Sequence, residues 1–242
     1  MILDDGYQFG LGAFETIAIH RGVPLFLGPH LARMDRTLAF LKIDNRVSEE
    51  EVQEYLRQNQ LANGGLKIMV SQNNIIFTRR KNPYRVDKYQ NGAIMGYSDF
   101  KRNETSPLIC HKTLNYGECI LENRKAKDRG LDEIIFLNTK GEICEGTVSN
   151  IFFVRDGTIY TPEKKCGLLP GVIRDFVLEN NPAKQTVIMP DDVNSCDECF
   201  ITNSLMGIMP VKQLGSHVFS KRDVTDRIME QYRKELSKQI SK

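Results

Sequence analysis

Apolar positions recur along this chain with two periods, one near two residues and one near three and a half, and their alternation divides it into short segments. Phe14 to Ile19 has the composition of a strand, Arg21-Gly22 marks a turn, and Val23 to Leu27 reads as a further extended run. From Pro29, well suited to a first helical turn, Leu31, Met34, Leu38 and Leu41 recur at helical spacing. Ser48-Glu49-Glu50-Glu51 is a capping box, and Val52, Tyr55 and Leu56 supply the apolar stripe of the helix behind it. Asn63-Gly64-Gly65 breaks the chain before two strand-like runs, Leu66 to Val70 and Ile75 to Thr78.

Residues 98 to 107 are polar and carry no apolar period, which predicts a linker. The expected division is a smaller α/β domain over 1–98, a linker over 99–107, and a second α/β domain over 108–242. The second half opens with Leu108 to Cys110 as a short strand leading to Lys112. A helix follows from about Asn115 to Arg129, ended by Gly130. Ile134 to Leu137 reads as a strand, and Ile143 begins another. Asn150 to Val154 and Thr158 to Tyr160 are joined through Asp156-Gly157, a strong hairpin signal. Pro170-Gly171 starts a helix with Val172, Phe176 and Val177 inward, Cys199 to Thr202 is a strand, and Val224, Ile228, Leu236 and Ile240 line one side of a last helix. The sum is a mixed α/β fold in two domains.

Composition adds mainly exclusions. A chain of 242 residues can bury a full core in one large domain or two small ones. The formal net charge of +2 supplies no basic field for nucleic acid. No signal peptide is read at Met1-Ile2-Leu3-Asp4-Asp5, and no apolar run approaches the ~20 residues of a membrane helix, so a soluble cytoplasmic protein is expected. The six cysteines include one C-x-x-C, Cys196 to Cys199, without a second such pair or clustered histidines, so buried free thiols are expected and no metal site.

Several signatures of catalysis are missing, among them a Walker loop, H-E-x-x-H and G-x-S-x-G. Gly10-Leu11-Gly12 lacks the third glycine and the preceding strand of a dinucleotide fingerprint. Lys112, between an apolar run and a helix, could carry its amine into a cleft; a lysine alone in such a place is ordinarily solvated, and its company decides the matter.

That company is extensive. His111-Lys112-Thr113-Leu114-Asn115-Tyr116, Asp132 to Asn138, Glu145-Gly146-Thr147-Val148-Ser149-Asn150-Ile151-Phe152, Leu169 to Asp175 and Thr202 to Val211 follow in order, with Tyr7 to Gly10, Phe14-Glu15-Thr16 and His30 to Met34 ahead of them. Together they resemble the class IV aminotransferase family, which includes branched-chain aminotransferases, D-amino acid aminotransferases and aminodeoxychorismate lyases. The resemblance implies the two-domain PLP fold type IV (D-amino acid aminotransferase-like), with pyridoxal 5'-phosphate in the inter-domain cleft, a homodimer, and a small-molecule amine as substrate.

It also implies roles. Lys112 would bind the cofactor covalently and shuttle the proton at the amine-bearing carbon. Glu145 would face the pyridine nitrogen and keep the ring protonated. Arg33 would grip the phosphate with its fork of donors, joined by the Val172 and Ile173 N–H groups at a helix N-terminus and by the Ser204 hydroxyl. Tyr116 would lie near the ring oxygen, and Phe14, Thr16 and Leu205 would line the substrate. Two strings, Lys112 to Asn115 and Asn203 to Val211, are closest to the lyase branch, which expels pyruvate from 4-amino-4-deoxychorismate to give 4-aminobenzoate. A transaminase for branched-chain or D-amino acids is the alternative, and a non-catalytic relative binding a phosphorylated ligand the third. Two departures stand out. Ser71-Gln72-Asn73 replaces the usual carboxylate-reading arginine at Gln72, a charge that Arg79, Arg80 or Arg85 could supply; and Asp5 replaces another arginine, in a segment that many relatives precede with an extra strand.

Overall fold

The computed structural model describes residues 1–241, which fall into two compact units. Residues 1–83, 111–116 and the stretch from Lys234 onward form the first unit; 84–110 and 117–233 form the second. The units do not follow the expected division at 98 and 108. The chain changes unit near Tyr84, and the segment around Lys112 returns to the first unit because its backbone is bonded there.

The first unit begins with the short helix α1 (Asp5–Phe9) and continues as β1 (Ala13–His20), β2 (Val23–Pro24), α2 (Leu27–Phe40), α3 (Glu49–Gln58), β3 (Asn63–Val70) and β4 (Ile75–Arg80). Its strands form an antiparallel sheet in the order β2-β1-β3-β4. Leu31, Met34 and Leu38 of α2 and Val52 and Leu56 of α3 pack with Ile17, Leu66, Ile68 and Val70 of the sheet. The capping box at Ser48 forms as expected, with Ser48 and Glu51 each bonding the other's backbone N–H. The extended run expected from Val23 ends at Pro24, since Phe26 turns to φ 54° and α2 begins at Leu27. Gly64 and Gly65 do not break the chain but extend β3, where Gly64 takes φ 123° and a Cβ on it would lie 2.9 Å from the Arg80 carbonyl.

The second unit contains α4 (Val86–Asn91), β5 (Ala93–Arg102), α5 (Gly117–Asp128), β6 (Glu133–Asn138), β7 (Ile143–Gly146), β8 (Asn150–Arg155), β9 (Thr158–Pro162), α6 (Val172–Asn180), β10 (Ala183–Thr186), β11 (Glu198–Asn203), β12 (Gly207–Leu214) and β13 (His217–Val218). The last helix, α7 (Asp223–Ile240), starts in it. The strands run β10-β9-β8-β11-β12-β5-β6-β7, with β13 on β12. Two expectations are corrected here. Residues 98–102 are not linker but the second half of β5, which pairs parallel with β6 through Lys101 and Arg102 after an irregularity beyond Tyr97. Leu108 to Cys110 is a turn rather than a strand: Ser106 accepts from the Leu108 and Ile109 N–H groups, and Asn103 caps the turn before it. The Asp156-Gly157 hairpin forms as expected, both residues taking positive φ. Among the described residues no helix is long and apolar enough to cross a membrane.

Candidate active site

Within the first unit, Lys112 sits on an irregular segment held to the sheet by its own backbone. The Phe14 N–H donates to the Lys112 carbonyl at 2.9 Å, Leu114 N–H to Gly12 at 2.8 Å, and Thr113 bridges Ala13. A Cβ on Gly10 would lie 3.2 Å from Asn115, so the small residue lets the two stretches approach. On the α2 side, Lys112 N–H reaches the buried Thr37 hydroxyl at 3.4 Å. The Lys112 Nζ then lies 4.5 Å from the ring centre of Phe14 and 5.1 Å from that of Tyr116, and the two rings meet edge to face at 5.0 Å. Thr16 pairs across the sheet with Lys67, whose Nζ lies 4.7 Å from the same Phe14 ring. Burial and the nearby Arg80 both push the Lys67 amine down. Period-two alternation puts Phe14 and Thr16 on one face of β1 and Glu15 and Ile17 on the other.

Arg33 is on that second side. Glu15, fully buried, accepts from Arg33 Nε at 2.7 Å and Nη2 at 2.8 Å, and from His30 Nδ1 at 2.7 Å. The helical spacing 30, 33, 37 makes a polar stripe beside the apolar stripe of α2, and β1 presents a carboxylate to it. Burial alone would raise Glu15, but the Arg33 charge and the His30 and Arg33 hydrogen bonds hold it far below the usual carboxylate range. Burial also pushes His30 down, with the Arg33 and Lys112 charges acting in the same sense against the attraction of Glu15, so the neutral ring is the donor.

Both shifts make acid destabilising. The neutral imidazole and the anionic carboxylate are the native forms, so the stability they carry is complete above the ordinary histidine value of 6.5 and declines as His30 is forced to protonate below it. It declines again as pH falls below the ordinary glutamate value of 4.5. Glu15→Gln is expected to abolish the lower stage and to cost about 3–5 kcal/mol at neutral pH, because it leaves a buried guanidinium without its counter-ion. Urea unfolding of both proteins at pH 7 and pH 4 checks this; parallel losses in the two would refute it.

Within the second unit, Glu145 lies buried in β7 and is held from three directions. Arg102 Nη2 meets its Oε1 at 3.1 Å, while Asn150 Nδ2 and the Leu169 N–H donate to Oε2 at 3.3 and 3.1 Å. Arg102 stands over the Phe136 ring at 5.0 Å and reaches the Cys119 thiol at 3.1 Å. Asn150 also donates to the Leu169 carbonyl at 2.8 Å, and its Oδ1 occupies the place a Cβ on Gly171 would need. One asparagine therefore joins Glu145 to the turn that opens α6. That helix has no side-chain cap at Gly171, so the first-turn N–H groups, Val172 and Ile173 among them, find no partner within the helix. Ser204 and Leu205 occupy the turn between β11 and β12. Asn203 fixes this turn, accepting from the Leu205 and Met206 N–H groups and donating to the Val148 carbonyl and the Tyr84 hydroxyl.

The expected residues are thus gathered in part. Lys112, Tyr116, Phe14 and Thr16 share one neighbourhood of the first unit, and Lys112 is tied by its N–H to Thr37, one turn along α2 from the Arg33 that Glu15 holds. Glu145, Val172 and Ile173 share one in the second. Arg79, Arg80 and Arg85 are exposed; Arg79 donates to the Asn59 carbonyl and Arg85 pairs with Asp87. Sequence reasoning passed over Glu15, His30, Lys67, Arg102, Glu133, Asn150 and Asn203 as carriers of the site. Arg102 was hidden in an apparent linker, and Lys67 in an ordinary strand. All six cysteines are free, and five are buried.

The family model for amino-transferase class IV matches residues 12–214. The aminodeoxychorismate lyase of Bacillus subtilis is 25% identical over 98% of this chain and 89% of its own. The D-alanine aminotransferase of Bacillus licheniformis is 29% identical over 88% of this chain and 82% of its own. The crystal structure of 4-amino-4-deoxychorismate lyase from Pseudomonas aeruginosa superposes with a TM-score of 0.84 at 27% identity, covering 98% of this chain and 95% of that one.

Proposed function

The chain belongs to the class IV amino-transferase family, and from that premise we propose that it is an aminodeoxychorismate lyase, which eliminates pyruvate from 4-amino-4-deoxychorismate and leaves 4-aminobenzoate. Its fold is that of the fold type IV enzymes, and it is a PLP-dependent enzyme. When bound, the cofactor supplies an electron sink for negative charge at the carbon bearing the substrate amine.

The donor set fits such a group. A primary amine lies against two aromatic faces, a buried carboxylate is held by three donors, and a helix of nine residues opens without a side-chain cap. Lys112 would hold the cofactor and move the proton at the amine-bearing carbon, with Tyr116 beside the ring oxygen. Glu145 would meet the ring nitrogen, in an orientation set by Arg102, Asn150 and Leu169. Arg33, its plane set by Glu15, would bind phosphate together with the Val172 and Ile173 N–H groups and the Ser204 hydroxyl. Phe14, Thr16 and Leu205 would line the substrate.

The observation that carries the lyase over a transaminase is the second cation, Lys67, on the ring that Lys112 also touches. Aminodeoxychorismate bears two carboxylates, whereas a branched-chain or neutral D-amino acid bears one. Lys67 would read one of them, in place of the arginine absent at Gln72. Lys67→Met is then expected to raise KM about 10- to 100-fold with kcat little changed, while Arg79→Ala and Arg85→Ala leave both constants alone. Steady-state kinetics decide it, and an unchanged KM for Lys67→Met would remove that residue from the site. The reaction itself is tested by 4-aminobenzoate release from the purified enzyme without any keto acid. Turnover only with a keto-acid acceptor would favour the second reading, a transaminase, which the similarity to D-alanine aminotransferase supports.

A further inference from the structure

Four residues separate Glu145 from Asn150, and four of their donors converge on one carboxylate that the chemistry above does not use. Glu133, on β6, is 1% exposed. Its Oε1 accepts from the Thr147 hydroxyl at 2.6 Å, the Thr147 N–H at 3.1 Å and its neighbour Ile134 N–H at 3.0 Å. Its Oε2 accepts from the Ser149 hydroxyl at 2.9 Å and the Val148 N–H at 3.2 Å. The loop closes on itself through Gly146 N–H to the Ser149 carbonyl at 2.7 Å, and a Cβ on Gly146 would lie 2.8 Å from Glu133 Oε2. On its other side the Val148 carbonyl accepts from Asn203, which fixes the turn carrying Ser204.

We propose that Glu133 is a positioning residue for Glu145: by gathering the donors of the 147–149 loop it sets the strand end that presents Glu145 and the strand start that presents Asn150. The inference rests on the reading of Glu145 as the partner of the cofactor ring nitrogen. A buried carboxylate is costly to keep in a core, and a stability role alone is better served by apolar packing. Five donors on one side chain instead suit a loop that must hold a single conformation, because no backbone N–H of Thr147 or Val148 can relax without losing a partner. Burial pushes the Glu133 carboxyl up, against the hydrogen bonds from the Thr147, Ile134, Ser149 and Val148 donors. The amide in Glu133→Gln keeps the shape but replaces one acceptor oxygen by a donor, so one loop N–H must lose its partner.

The test compares holoenzymes of wild type, Glu133→Gln, Thr147→Val and Ser149→Ala. The first readout is the pH titration of the lysine-bound PLP absorption band, which reports the ring environment; the second is the PLP dissociation constant. Glu133→Gln is expected to move the titration midpoint by about half a pH unit or more and to weaken PLP about tenfold. Thr147→Val and Ser149→Ala each remove one donor and should shift the midpoint in the same direction by less; they carry the test should Glu133→Gln not fold. A structural role alone would lower the melting temperature with the midpoint unmoved, and that result overturns the inference while leaving the PLP reading intact. No such band in wild type would overturn the PLP reading, and the inference with it.

Discussion

Replacing Lys112 by alanine is expected to abolish the lysine-bound PLP absorption band and its borohydride-trapped adduct, and to cut turnover at least about 10³-fold. The folded state should hardly notice, with a change in stability within about 0.5–1 kcal/mol, because the segment is held by backbone rather than by this side chain. The Phe14–Lys112, Leu114–Gly12 and Thr113–Ala13 pairings all survive the substitution. What is lost is one half-buried amine and its contact with the Phe14 and Tyr116 rings, worth little at a partly exposed position. Visible spectra, single-turnover kinetics and thermal unfolding of the variant separate these effects. A variant that kept the band, or that lost it only by unfolding, would contradict the assignment.

Glu145→Gln should show the opposite balance, with both function and stability affected. The amide can still accept from Leu169 N–H, but it no longer neutralises Arg102, whose side chain is about as buried as that of Glu145 itself. Breaking one partner of a buried pair typically costs about 3–5 kcal/mol, and the retained shape places this substitution toward the lower end. Function should fall on the order of 10²- to 10³-fold in kcat, since a neutral amide cannot keep a pyridine nitrogen protonated. Urea unfolding measures the first effect, and steady-state kinetics at saturating PLP the second. Full kcat with PLP bound would remove Glu145 from its assigned role. Because Arg102→Met would also leave a buried charge, now the carboxylate, the two single variants should cost more in sum than the double variant, a coupling that a double-mutant cycle reads directly.

Much of the fold is legible in local pattern. The α2 stripe of Leu31, Met34 and Leu38, the Ser48 box and the Asp156-Gly157 hairpin all form because each depends on neighbours within a few residues. Two failures fall where a distant strand decides, and a third is a local turn. Residues 98–102 look like linker because they are polar and carry no apolar period, yet they complete β5, where β6 pairs with Lys101 and Arg102 and Arg102 is buried. Gly64-Gly65 looks like a break because glycine usually is one, yet here it admits the close approach of β4. Leu108 to Cys110 looks like a strand because it is apolar, yet Ser106-Pro107 ties it into turns.

The candidate site divides in the same way. By itself the sequence determined the ordered set of motifs, and with it the family and the cofactor, and it nominated Lys112 and Glu145 for test, because chemistry restricts which side chains can serve. It also determined the local elements, which obey periods of two and three and a half. Only the tertiary structure decided the partners. Glu15 takes up Arg33 and His30 across the β1–α2 interface, Arg102 reaches Glu145 from β5, Lys67 joins Lys112 on one ring, and Glu133 gathers a loop more than ten residues away. Each of these is a long-range meeting of polar groups in a buried place, where geometry, not composition, sets whether a charge is solvated, paired or strained.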